Sequence, residues 1–547
     1  MGANPKELIR RWETLRSEQA NFRNLWQDVD RYLSLNKDRA NTDEFQGEQR
    51  TEFVFSGHAP WALGVSSAAI QGTLFPSSIK SFNFSLDLGD LSKADKLWFQ
   101  TATNEMFAAI NKSNFRSPFA ETVSDLLAYG TGVLWITERS QGGPSWRGLR
   151  FQSFQPRDVV VEEGEDDVVN AVYRQSRPTA DKLIQMFGDN VSQRVKRMAE
   201  RQRLGERVKI LHIIKPRFEA KPGKDGLMLD RDMPFMSVWI EEDSKHLLRE
   251  SGVMEMPYAV PRWSKTNSES YGRGPGILSM PDIRTLNRAV ELRLKAWAKA
   301  IDPPLLVNDR GVIGPLRMVP GGVNSVRRDG AIQPFINNAR FDVSNFSEAD
   351  LKQAISQAFF IDQIQLPPPT GTPLSATEFA GRFETMQRIL GPTFGRVEHE
   401  LLEVMLKRIF FLMLRRQALT PPPERIMQVL ETEGDRLVVR FDGPLARAQQ
   451  QAEVESIQRA YGVAAPLAAQ FPEVMDRFDH GEAGRLILQF LRVPEEMMMD
   501  DEQVAAQQEA RAADAQEQQQ LAAGATTARA LKDATPFLES LTGGGLG

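Results

Sequence analysis

Apolar residues along this chain change their spacing from one segment to the next, and each change predicts a different kind of element. Near the start, Leu8, Trp12, Leu15, Phe22, Trp26, Val29 and Leu33 recur at helical spacings, which puts them on one face of a core-facing helix. Residues 57–75 and 93–138 alternate more apolar helical runs with Gly and Pro breaks. From about residue 150 to 262 the pattern shortens. DVVVEE, VVNAVYRQ, VKILHII, FMSVWIEE and KHLLRE are short, Val- and Ile-rich as a group, and separated by Gly, Pro and Asp, so they predict an antiparallel sheet. TADKLIQMFG and the residues after it interrupt the sheet as a helical insertion.

Helical spacing returns at 281–301, with Pro281 suited to a first turn and Pro303–Pro304 as a stop. At about 100° per residue, Arg284, Arg288, Glu291, Lys295 and Lys299 share one stripe. Ile283, Leu286, Val290, Leu294, Trp297 and Ile301 line a different side. Residues 302–346 read as short strands and turns containing GVIGP and VPGG, and 347–365 as a second short helix. LPPPTGTPLS is too rich in Pro and Gly for a helix or a central strand and predicts an exposed loop. Ser375 to Leu419 is one long helical pattern, broken at Gly391, Pro392 and Gly395, with a kink expected at Pro392. TPPPE at 420–424 marks a boundary before helices and one strand, RLVVRF. From Asp500 the chain is Ala- and Gln-rich, either a disordered tail or a helix stabilised only by association. The fold class is α+β, mainly helical.

Composition narrows the function. The 547 residues are 41% hydrophobic and 25% charged, ordinary globular values that allow several domains. With 67 Lys and Arg against 72 Asp and Glu the net charge is −5, which argues against coating nucleic acid through overall positive charge. It leaves room for DNA near a locally patterned surface. Cysteine is absent, so disulfides, Cys-ligated zinc, iron–sulfur clusters and Cys nucleophiles are excluded. The N-terminus is polar and unlike a secretory signal, and Lys6 stands where a myristoylation site needs Ser or Thr. The most apolar stretch, 401–416, carries Glu403, Lys407 and Arg408, so no membrane span is expected.

Motifs for chemistry are mostly missing. A P-loop needs GxxxxGK[ST], but the Gly223–Lys224 pair has Phe218 where the first glycine belongs. His399, Glu400 and Glu403 form HELLE, which lacks the second histidine of a zinc-protease helix and reads as a solvated helix face. The five histidines, His58, His212, His246, His399 and His480, are scattered. The turn YGRGPG, Tyr271 to Gly276, lacks the spacing of a dinucleotide fingerprint and reads as a tight turn aiming the next helix. The acidic run EEGEDD at 162–167 has the chemistry of a hard-cation site, although a charged hairpin tip is commoner. The Arg/Lys stripe is the feature suited to nucleic acid. Lacking aromatic partners, it would slide along phosphates rather than read bases, and a solvated face or subunit salt bridges are its plainer readings.

Four segments together resemble the head-to-tail connector family of podovirus portals. They are NFRSPFAETVSDLLAYGTGVLWI (114–136), FQSFQPRDVVVEEGEDDVVNAVYRQSRPTADKLIQMFG (151–188), PYAVPRWSKTNSESYGRGPGILSMPDIRTLNRAVE (257–291) and the helix block 370–419 with its Leu-Gly-Pro break. The resemblance spans roughly residues 1–495 in unchanged order and weakens in the tail. It implies a portal fold assembled as a dodecameric ring around a DNA channel. The wing would take 1–280, the stem helices 281–301 and 347–365, the clip 302–346 and the tunnel loop 366–375. A long kinked wing helix (376–419), a crown (420–500) and a C-terminal barrel helix or tail (501–547) would complete the chain. On this scheme Arg284, Arg288, Lys295 and Lys299 are the DNA-channel candidates. Leu366, Pro367, Pro368, Pro369, Thr370, Gly371, Thr372 and Pro373 make up the loop toward DNA.

The partners implied are further copies of the chain, double-stranded DNA held without sequence specificity, the terminase large subunit, tail and adaptor proteins, and the major capsid and scaffolding proteins. No catalytic residue, metal, cofactor or membrane contact is implied, since a separate ATPase would drive translocation. The implied location is the portal vertex of the virion, reached from the host cytoplasm during assembly. Two other readings stay open: another head–tail adaptor or scaffold module, and a carboxylate-metal nuclease using Glu163 and Asp166.

Overall fold

The computed structural model describes residues 4–35, 51–76, 80–87, 91–139, 146–165, 167–217, 230, 232–301, 305–307, 312–313, 325–327, 332–334, 342–364, 391–432, 436–441, 444–468, 471, 478, 480–490, 507 and 510–511. They form helices and antiparallel sheets, grouped into two compact units. The first comprises 1–83, 102–421 and 439–445, and the second 84–101, 422–438 and 446–547.

In the first unit, helix α1 (Pro5–Glu18) starts where the Asn4 side chain accepts from the Lys6 N–H at 3.2 Å, with Pro5 in its first turn. Leu8, Ile9, Trp12 and Leu15 are buried on one face, and α2 (Ala20–Val29) continues that face with Phe22, Trp26 and Val29. Helices α3 (His58–Leu74) and α5 (Arg116–Tyr129) come next; between them in sequence, strand β1 (Phe82–Leu86) and α4 (Lys93–Lys112) are each divided between the two units.

A small sheet has the order β3–β2–β9, from β2 (Leu134–Glu138), β3 (Leu149–Ser153) and β9 (Tyr258–Ala259). The larger sheet is an antiparallel meander of β4 (Val159–Glu163), β5 (Val169–Ser176), β6 (Ile210–Pro216), β7 (Phe235–Glu241) and β8 (His246–Val253). Alternation assigns its two faces. Val160, Ala171, Tyr173, Leu211, Ile213, Met236, Val238 and Ile240 bury against α1. Ile210, Trp239 and Leu248 face the insertion α6 (Ala180–Phe187) and α7 (Gln193–Glu200), packing with Leu183, Phe187 and Val195. Each large side chain buried this way contributes on the order of 2 kcal/mol.

A buried cation joins the two sheets. The Arg174 guanidinium carbon lies 4.2, 5.4 and 5.6 Å from the ring centroids of Phe154, Trp135 and Trp239. His212 stacks on Trp239 with centroids 3.9 Å apart and hydrogen-bonds Tyr258 Oη and Ser237 Oγ, both at 3.1 Å. Burial, reinforced by the Arg174 charge, holds the His212 ring well below its usual pKa. This histidine is therefore neutral core.

A helical turn α8 (Pro275–Leu278) leads into α9 (Met280–Ile301). Two short antiparallel pairs lie beyond it, β10 (Leu305–Val307) with β13 (Ile332–Pro334) and β11 (Val312–Ile313) with β12 (Ser325–Val326). Helix α10 runs from Asp342 to Ala358, beginning before the 347 read from sequence. Ser344 and Asn345 are weak helix formers that read as loop, yet the helical backbone runs through them. It stops where Phe360 takes φ 59°, just before α11 (Ile361–Ile364).

Residues 391–397 are helical through Pro392, while the turns preceding the expected kink lie outside the described residues. The irregularity that is described falls later, as a π-helical turn at Glu398–Glu403 continuing into α12 (Val404–Arg415). The helix ends short of Leu419, at a turn where Gln417 has φ 52°.

In the second unit, α4 opens on a capping box. The Ser92 N–H donates to Asp95 Oδ2 and the Asp95 N–H to Ser92 Oγ, both at 3.2 Å. Helix α13 (Glu424–Thr432) buries Ile426 and Leu430, and the Asp87 N–H donates to the Arg436 carbonyl at 2.9 Å. Strand β14 (Leu437–Phe441) begins in this unit and ends in the first, while α14 (Pro444–Ala468) and α15 (His480–Phe490) come next. The second unit's boundary at 421–422 falls inside TPPPE. The tunnel-loop candidates and nearly all of 501–547 lie outside the described residues. Among the described residues no helix is long and apolar enough to cross a membrane.

Candidate functional site

The helix with the cationic stripe is aimed by two glycine-bearing turns that cross backbone to backbone. Helix α5 ends at Gly130, φ 79°, whose N–H donates to the Leu126 carbonyl at 2.9 Å. The Gly130 carbonyl accepts from Trp263 N–H at 2.9 Å, and the Gly272 N–H donates to Thr131 Oγ1 at 2.9 Å. A Cβ at Gly276 would lie 2.6 Å from the Ala128 carbonyl oxygen and 2.6 Å from Leu33 Cδ2. The buried Tyr271 hydroxyl accepts from Gln19 Nε2 at 2.8 Å and from the Val161 N–H at 3.2 Å. YGRGPG is thus a tight turn packed on protein backbone.

Along α9 the four basic candidates are all exposed. Arg284 pairs with Asp28. Arg288 and Lys295 reach the same carboxylate, Glu291, at 2.7 and 2.6 Å. Those two bonds, Lys295 first, hold the Glu291 carboxyl below its usual range. Lys299 has no partner among the described residues. The apolar side divides in two. Ile283, Leu286 and Val290 are buried, whereas Leu294, Trp297 and Ile301 are 42%, 44% and 84% exposed. Arg293, between the two sides, reaches Glu348 of α10 at 2.6 Å and lies 4.9 Å from the Trp297 ring centroid.

Asn287 staples a separate segment to this helix. Its Oδ1 accepts from Phe55 N–H at 2.7 Å and Ser56 N–H at 3.3 Å, and its Nδ2 donates to the Phe53 carbonyl at 2.8 Å. Asn287→Ala is expected to cost about 1–3 kcal/mol and to speed proteolytic cleavage within residues 51–57. Limited proteolysis of the assembled protein checks this, and an unchanged cleavage rate would refute the staple.

The acidic run forms a hairpin turn in which Glu162, Glu163 and Asp167 are held by cations. Glu162 accepts from Arg11 at 2.6 Å, and Lys265 lies 2.7 Å from Glu163 and 3.1 Å from Asp167. Arg262, buried, contacts Glu163 and also binds Glu400 through its backbone N–H at 2.8 Å and Nη2 at 2.7 Å. Burial pulls the Arg262 pKa down, but Glu400 and Glu163 hold it above its ordinary value. Of HELLE, His399 and Glu403 form an exposed-side pair at 2.6 Å, but Glu400 is buried, so the segment is not simply a solvated face. Among the described residues no cluster of metal-ligating side chains is assembled.

A second π-helical turn, Asp30–Ser34, repeats the arrangement. Buried Asp30 accepts from Tyr129 Oη at 2.5 Å and from Arg157 Nη1 at 3.2 Å. Burial, with Asp30 next, raises the Tyr129 pKa well above its usual value. Sequence reading did not single out Asn287, Arg262 or Asp30 as structural hubs. Asn287 stood inside a quoted motif, but a partner more than two hundred positions away leaves no local trace.

Two arginine–carboxylate pairs, Arg157 with Asp30 and Arg262 with Glu400, are thus buried among the packed elements, while exposed positive charge lines one side of α9, most of it paired within the chain. The chain belongs to the family of bacteriophage head to tail connecting proteins, whose model it matches over residues 5–498. A probable portal protein of Bordetella phage BPP-1 is 27% identical over 87% of this chain and 85% of its own length. The portal protein of Salmonella phage epsilon15 is 26% identical over 88% and 87%. Similar solved structures include the neck of an empty gene transfer agent particle, at 12% identity and TM-score 0.34 over 84% of this chain and 98% of that one.

Proposed function

We propose that this chain is a portal subunit, forming a dodecameric ring at one capsid vertex through which double-stranded DNA is packaged and ejected. The observation that carries this reading is the match to connector proteins along nearly the whole chain, with relatives named as portal proteins aligning over most of both lengths. The terminase large subunit, then tail and adaptor proteins, would dock on it, and capsid and scaffolding proteins would surround it. Helices α9 and α10 would be the stem, the part of 302–346 that lies between them the clip, and 366–373 the loop toward DNA. The protein would be a conduit and not an enzyme, residing in the virion after assembly in the host cytoplasm.

Two features of α9 support ring assembly around a channel. Its apolar stripe runs out of the subunit core at Leu294, Trp297 and Ile301, a surface suited to a second copy. The opposite side is cationic, and ring symmetry repeats each of Arg284, Arg288, Lys295 and Lys299 in every subunit. Modest single contacts thereby sum to a ring of positive potential in a net-acidic protein.

Native mass spectrometry with negative-stain imaging tests the proposal: a ring near twelve subunits with an open axis is expected. A stable monomer at high concentration with scaffold present would overturn it. Arg288→Glu combined with Lys295→Glu should leave rings intact and lower DNA packaging. Failure to assemble would instead assign these residues to subunit contacts.

A further inference from the structure

The positive charge of this acidic chain is concentrated in the insertion between β5 and β6. Residues 177–209 hold nine Lys and Arg against four Asp and Glu, a net of +5, which leaves −10 for the rest of the chain. The structure explains how that charge is displayed. Helix α7 buries Val195 against the sheet, with Ser192 capping its start by accepting from the Val195 N–H at 3.3 Å. At about 100° per residue the outward side then carries Lys196, Arg197 and, one helical turn on, Arg201. The exposed segment beyond the helix adds Arg203 and Arg207.

Within the lobe Arg194 pairs with Asp243 at 2.5 Å and Arg203 with Glu206 at 3.3 Å. Lys196, Arg197, Arg201 and Arg207 have no ion pair or side-chain hydrogen bond among the described residues. Glu200 is the single acid on the outward side of the helix. Four unneutralised cations on one small lobe, three of them Arg with a planar fork that fits phosphate oxygens, are an electrostatic footprint for a polyanion. Aromatic residues are absent from the stretch 188–209, so there is no platform for stacking bases, which favours a duplex backbone over single strands.

We propose that this lobe is a second DNA-binding surface, separate in sequence from the α9 stripe, which holds the phosphate backbone of duplex DNA without reading its sequence. The choice of duplex DNA over an acidic protein segment rests on the portal reading; the existence of the polyanion site does not.

The test is fluorescence anisotropy of a short labelled duplex of mixed sequence with the full-length assembled protein. The comparison is with a variant carrying Lys196→Ala, Arg197→Ala, Arg201→Ala and Arg207→Ala, whose assembly is checked by native mass spectrometry. Each phosphate contact contributes about −0.9 to the slope of log affinity against log salt. The quadruple variant should therefore bind about tenfold or more weakly near 0.1 M salt, with a slope flatter by about 3. Arg288→Glu with Lys295→Glu should keep the lobe-dependent part of the binding.

Equal affinity and slope for wild type and quadruple variant would overturn the proposal. So would binding of polyglutamate in preference to duplex, which would make the lobe a docking site for an acidic protein. A non-oligomeric wild type that still shows the lobe-dependent difference would sink the portal reading while leaving this surface standing.

Discussion

Arg262→Ala should destabilise the first unit by about 3–5 kcal/mol, the penalty for breaking a buried ion pair by removing one partner. The arginine is 1% exposed and ties together three segments distant in sequence. Nη2 donates to Glu400 on the π-turn at 2.7 Å and to the Asp167 carbonyl in the hairpin turn at 2.7 Å, while Nη1 engages Glu163. Alanine leaves the buried Glu400 carboxylate without its cation, and Lys265 alone cannot serve both acids because it already bridges Glu163 and Asp167. Lysine at 262 should recover only part of the loss, since one ammonium cannot reproduce the forked geometry. Arg262→Met combined with Glu400→Met should recover much more, because an apolar pair of similar volume leaves no unpaired charge. Urea unfolding of the three variants checks the order. Equal stabilities for Arg262→Ala and wild type would show that the network contributes nothing.

Gly130→Ala should be at least as damaging, above about 4 kcal/mol, and should abolish assembly. Two costs add. The residue sits at φ 79°, a left-handed conformation that costs an L side chain about 1–2 kcal/mol. Its Cβ would also collide with the Gly272 carbonyl, the Gly274 nitrogen and the Arg273 Cα, all backbone atoms that cannot swing aside. Gly64→Ala in α3 is the matched control. Nothing lies within 4 Å of its Cβ position and the residue is helical, so alanine there should stabilise by about 0.5–1 kcal/mol. Thermal unfolding of both variants reads the contrast. A Gly130→Ala protein that melts with wild type would mean the two glycine turns do not cross as described.

Legibility tracked the range of the interactions. The α1–α2 face, from Leu8 to Leu33, was readable because its apolar residues repeat within a few positions, and every one of the seven is buried. The five strands between 158 and 253 were readable for the same reason, as was the insertion whose α6 ends at Gly188. The π-turns at Asp30–Ser34 and Glu398–Glu403 were not readable. Each inserts a residue into an otherwise regular helix and carries a buried carboxylate bound by an arginine remote in sequence, and no local pattern announces that. The acidic run shows the limit from the other side. Its composition suits a cation site, yet the cations it meets are Arg11, Arg262 and Lys265.

By itself the sequence determined the element types, the charge pattern of α9 and the identity of the resembling family, because periodicity and motif order are local or linear properties. Tertiary structure decided which carboxylates are buried and by what they are bound, and that Gly272 and Gly274 of YGRGPG pack on Gly130. It also decided that the apolar stripe of α9 is covered as far as Val290 and exposed from Leu294. Burial and pairing depend on what folds against a residue from far along the chain, and local spacing carries no record of that partner.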